Sequence, residues 1–105
     1  TGRTYRLRFM HISPDDEKQV HLLDGDEPVA WRALAKDGAD LPPALVQDGP
    51  ADLRIDVGET YDFLWTPVPG EYTLRVLTTF DRGTPAFPRE APPPATQDIK
   101  VLVRP

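Results

Sequence analysis

The chain has 105 residues, of which 39% are hydrophobic and 28% charged, and a formal net charge of −5. That length makes one domain, 1–105, able to bury a core without staples; with no cysteine, disulfides and thiolate metal ligands are excluded. The 12 Lys and Arg are scattered through an acidic chain, so no nucleic acid is expected as a partner. No stretch approaches the roughly 20 apolar residues of a membrane span, and the residues from Thr1 onward do not read as a signal peptide.

Alternation of apolar and polar residues recurs along the chain, and helical periodicity does not. Tyr5, Leu7 and Phe9 alternate with Arg6 and Arg8, which predicts a first half-buried strand. "SPDDEK" at 13–18 reads as a loop, since Ser-Pro starts a turn and three successive carboxylates face water more cheaply than they bury. Strands are predicted at Val20–Leu23 and Val29–Ala35. Residues 31–36 also fit a helical turn, but the Asp-Gly turns at Asp24-Gly25 and Asp37-Gly38 leave too little length for a helix. A further strand is carried by Leu53, Ile55 and Val57. The stretch "GETYDFLWTPVPGEYTLRV" at 58–76 then reads as a hairpin: Tyr61, Phe63 and Trp65, a Pro- and Gly-rich corner, then Tyr72, Leu74 and Val76. The segment 82–97 is rich in proline and reads as a surface connection to a last strand at Asp98–Arg104. The expected fold is an all-β, antiparallel Greek-key sandwich of about seven strands. Its inward set is Leu7, Phe9, Ile55, Val57, Tyr61, Phe63, Tyr72, Leu74 and Val101.

The residues offer little catalytic vocabulary. Ser13 is the only serine and precedes a proline, so no nucleophilic triad is indicated. The seven glycines are isolated, without a phosphate-cradling pattern. Neither "DDE" nor "DGDE" at 24–27 has the ligand spacing of a calcium loop. Asp62 and Glu71 are carboxylates of the type a glycosidase pairs, with nothing in the sequence to place them together. His11 and His21 are weak surface candidates for a metal; the plainer reading gives each imidazole a local hydrogen bond. Tyr61, Phe63, Trp65 and Tyr72 alternate strictly and so read as core before sugar platform, and Trp31 reads as core before partner anchor.

As a set, "YRLRFMHIS", "VHLLDGDEPVAWRALAKDGADLP", "LRIDVGETYDFLWTP" and "PGEYTLRV" resemble a cupredoxin-like domain of the multicopper oxidases, most closely the copper-free middle domain. The matching positions are Arg6, Arg8 and His11; Asp37, Gly38, Leu41 and Pro42; Gly58, Glu59 and Asp62; and Pro69, Gly70, Tyr72 and Arg75. The resemblance implies that Glu59 and Asp62 pin turns by hydrogen bonds. It further implies neighbouring cupredoxin domains of the same chain as partners, and export to the periplasm or cell exterior. The family's HxH and HCH copper-binding segments are absent, so copper is implied in the parent enzyme and no metal, cofactor or catalytic residue in this domain. An independent extracellular binding module of immunoglobulin or fibronectin type, recognising a protein or glycan, fits the same strand pattern.

Overall fold

A computed structural model describes residues 2–12, 16–80 and 95–105, with Phe80 described by its backbone alone. Its strands are β1 (Tyr5–Met10), β2 (Asp16–Asp24), β3 (Glu27–Pro28), β4 (Ala30–Lys36), β5 (Ala39–Asp40), β6 (Asp48–Pro50), β7 (Asp52–Ile55), β8 (Thr60–Trp65), β9 (Gly70–Phe80) and β10 (Ala95–Val103). One sheet has the order β1-β8-β4, with β5 and β6 both on the far side of β4. The other runs β10-β9-β2, with β3 and β7 both beside β2. Every pairing is antiparallel, and the first strand pairs with the eighth, as in a Greek-key sandwich.

Two short ribbons switch between the sheets side by side. Val29 lies between β3 and β4, and Ala51 between β6 and β7. At this crossing the Val29 N–H donates to the Leu22 carbonyl (2.9 Å), Ala51 N–H to Val29 (2.7 Å) and Leu22 N–H to Ala51 (3.3 Å). Ala51 is fully buried there. The closed set of bonds satisfies the backbone where neither ladder can. Counting each switching ribbon once reduces the ten strands to eight, and the two-residue β5 (Ala39–Asp40) accounts for the one beyond the seven expected.

The core is aromatic on the β1-β8-β4 side and, apart from Tyr72, aliphatic on the other. Trp31 stacks on Phe63 with ring centroids 4.0 Å apart, and Phe9 packs against both rings. Val20, Leu22, Leu53 and Ile55 close the core from the second sheet. Trp31 is thus a core residue in a strand, and the alternating aromatics do point inward.

Four expectations are corrected. Residues 58–76 do not form a hairpin: β8 and β9 lie in different sheets, and the Pro67–Gly70 corner arches between them. The Tyr72 hydroxyl donates to the Val68 carbonyl at 2.7 Å, and its ring stands edge-on to Trp65 at 4.9 Å. This is the tyrosine corner of sandwich folds. Val57 does not point inward. It is 47% exposed in a turn whose Glu59 N–H donates to the Asp56 carbonyl, with Gly58 at φ +83°. A positive φ at that position is what glycine allows. Residues 16–18 open β2 and are no loop, and Asp16 is buried; Ser13 to Asp15 lie outside the described residues. The last strand starts at Ala95, so 95–97 belong to it, and the rest of the Pro-rich connection, 82–94, lies outside the described residues.

Candidate functional site

Three polar groupings stand out, and each ties strands together. On the outer face of the first sheet, register sets Arg8 opposite Asp62, with Arg6 diagonal to it. Arg8 Nε donates to Oδ1 (2.9 Å) and its Nη2 to Oδ2 (3.0 Å), while Arg6 Nε donates to Oδ2 (2.8 Å). The bulge at Ala33/Ala35 sets small Ala35 beside this carboxylate from the β4 side. Asp62 is 3% exposed although it faces outward, because the two guanidinium groups cover it. Their hydrogen bonds, Arg8 foremost, hold its pKa down at about 2 against the opposing effect of burial.

At one end of the sandwich, Glu59 gathers the β7–β8 turn. Its Oε1 accepts the Asp56 N–H at 2.8 Å, and Oε2 lies 3.0 Å from Lys36 Nζ and 3.1 Å from the Tyr61 hydroxyl. The Asp56 N–H, then Lys36, lowers the Glu59 pKa, and burial raises that of Tyr61. Beside it, Asp37 adopts φ +52° ahead of Gly38, and its Oδ1 accepts the Thr60 N–H at 2.9 Å. The resemblance implied turn-pinning roles for Glu59 and Asp62. Glu59 has one, whereas Asp62 binds strand to strand.

The third grouping contains His11. It is 2% exposed, so it is not the surface metal candidate the sequence suggested. Its backbone is held by Glu59 O and Gly58 N, and Nε2 donates to the Asp16 carbonyl at 2.9 Å, with Asp16 Oδ1 at 2.7 Å. Lys18 Nζ lies 3.5 Å from Asp16 Oδ2 and donates to Thr78 Oγ1 at 3.0 Å. His11 therefore fastens the end of β1 to the start of β2. His21 is in the other sheet, on the outward side of β2, with Nε2 3.1 Å from Asp52 Oδ1. Both imidazoles make local bonds, and the two do not occupy adjacent strands.

Other sequence candidates disperse. Glu71 pairs with Lys100 in the second sheet, away from Asp62 in the first. Among the described residues no three His, Cys, Asp or Glu side chains gather as a metal site. Outward cations Arg32, Arg54 and Arg75 face Asp48, Glu17 and Asp98 in exposed pairs that add little stability. A blue-copper centre needs a thiolate together with two imidazoles. With no cysteine, and with its two histidines each set against an aspartate, the chain does not supply that ligand set.

The fold and these groupings define an antiparallel β-sandwich whose charged clusters join strands and turns. The chain is similar to the Copper resistance protein A homolog of Pseudomonas syringae pv. tomato (strain ATCC BAA-871 / DC3000), 33% identical over 100 residues. The match covers 88% of this chain and 16% of that protein, so the chain spans a small part of the curated relative's length. No family model matches the chain. No solved structure matches it.

Proposed function

We propose that residues 1–105 are one copper-free, cupredoxin-like domain of the middle-domain type, which spaces and braces the copper-bearing domains of a multicopper oxidase. The observation that carries this is the likeness to part of a copper resistance protein across 88% of the chain, in a sequence without cysteine. The polar clusters support it, because they stiffen strand ends and present no open acid, base or nucleophile. In this reading the partners are neighbouring cupredoxin domains of the same polypeptide, which lies in the periplasm or outside the cell and carries its copper in those other domains. A bracing domain needs rigidity, and Arg6–Asp62–Arg8, Glu59 and His11 supply it.

A second reading, an immunoglobulin- or fibronectin-like binding module, is favoured by one observation. The order β1-β8-β4 against β10-β9-β2, with a tyrosine corner entering β9, is equally that of immunoglobulin-type sandwiches. The flanking reading frame separates the two: HxH pairs and an HCH segment support the first, adhesion or hydrolase modules the second. On the protein itself, copper titration with visible spectroscopy tests the copper-free assignment. Loose binding abolished by zinc or a mild chelator is expected. A stoichiometric, tightly held copper or an intense charge-transfer band would overturn it.

A further inference from the structure

We propose that the open edge of β1 is a docking site for one more β-strand, alternately acidic and apolar, supplied by the longer polypeptide; this source rests on the reading above. Most edges of the sandwich are blunted. β3 and β5 are two residues long, β6 three and β7 four, and Pro28 and Pro50 interrupt the row of donors. β1 is six residues, without proline, and pairs only with β8 among the described residues.

The direction of its free groups follows from His11. Its N–H and C=O bond to Glu59 and Gly58, which continue the β8 side. By alternation the odd residues of β1 bond toward β8, and the even ones, Arg6, Arg8 and Met10, turn N–H and C=O to the open edge. Charged side chains usually guard such an edge. Here Arg6 and Arg8 instead lean inward over β8 to reach Asp62, and among the described residues no charged side chain guards the edge.

The side chains indicate what fits. On the inner face Leu7 and Phe9 join the core but stay only partly buried. Across the sandwich, Ile99 of the other edge strand is 44% exposed. Tyr5 and Val103 line one cleft, so the two edge strands border the same open side. A strand added to β1 with apolar inward residues would cover that side. On the outer face two guanidinium groups share one carboxylate, which leaves a positive charge. Acidic outward residues complement it. A second copy paired through β1 would set these cations against each other, which disfavours it. The long edge of β10 carries both Asp98 and Lys100 and so has no such preference.

The test is residue-resolved amide exchange on the 105-residue chain with a short end-capped peptide of alternating Val and Glu. Exchange at Arg6, Arg8 and Met10 should slow by at least about tenfold, equivalent to about 1.4 kcal/mol. A Val/Lys peptide should give no slowing. Equal protection by both peptides, protection at β10 alone, or none at all would overturn the proposal. So would a β1 edge already protected in the concentrated chain without peptide, which would make a second copy the occupant. Flanking sequence without copper-bearing domains would sink the oxidase reading and leave the peptide result untouched.

Discussion

Replacing Asp62 with Asn keeps the shape of the outer-face cluster and removes the charge on which Arg6 and Arg8 converge. Breaking a fully buried pair costs about 3–5 kcal/mol, because the remaining charge is stranded. Here the carboxylate is covered, but Arg6 and Arg8 are 50% and 55% exposed and can turn to water. A fall in pKa from 3.8 to about 2 corresponds to roughly 2.5 kcal/mol before solvent screening; screening at the exposed guanidinium groups leaves about 1–2 kcal/mol. The sign is that of a depressed carboxylate. The stabilisation is fully present above the unfolded pKa near 3.8 and is lost as pH falls through about 2. Urea denaturation of the protein and of Asp62→Asn, at a series of pH values, should therefore give a constant difference between pH 5 and 8 that shrinks between pH 4 and 2. No difference at pH 7, or one that persists undiminished at pH 2, would refute the reasoning.

Phe63→Ala removes the ring stacked on Trp31 and should cost about 3–5 kcal/mol by the same denaturation; a loss under about 1 kcal/mol would mean the site collapses around the gap. Tyr72→Phe deletes only the hydroxyl bonded to Val68, and about 1 kcal/mol is expected with the near-ultraviolet dichroism of Trp65 preserved. Gly58→Ala meets no atom within 4 Å, so any destabilisation reads the backbone strain at φ +83° alone, about 1–2 kcal/mol; an unchanged thermal midpoint would show that the turn can relax.

The candidate clusters were only partly legible in the sequence. The resemblance points to Glu59 and Asp62, but it implies that Asp62 pins a turn. Its real partners precede it by 54 and 56 positions. Only the β1–β8 register brings them together, and nothing local encodes that register. His11 looked like a surface ligand for the same reason: its burial depends on β1 ending against the β7–β8 turn and on Asp16 starting β2. The sequence does carry one signal of the arch: Tyr72, four residues after Val68 at a Pro-Gly corner, marks a tyrosine corner.

What the sequence determined by itself is local. Alternation with period two set which residues face the core along β1, β8 and β9, whereas the bulge at Ala33/Ala35 breaks it in β4; Asp37-Gly38 set a tight turn, because side-chain direction and turn geometry depend on a few neighbouring residues. Tertiary structure alone decided which sheet each strand joins. An arch between sheets and a hairpin within one have the same apolar alternation and the same Pro-Gly break, so residues 58–76 read equally well as either. The choice falls to contacts distant in sequence: β8 gains β1 and β4 as neighbours, and β9 gains β2 and β10. Those four ladders, together with the crossing at Val29 and Ala51, bury the aromatic set from both sides at once, which a β8–β9 hairpin in a single sheet would leave facing water.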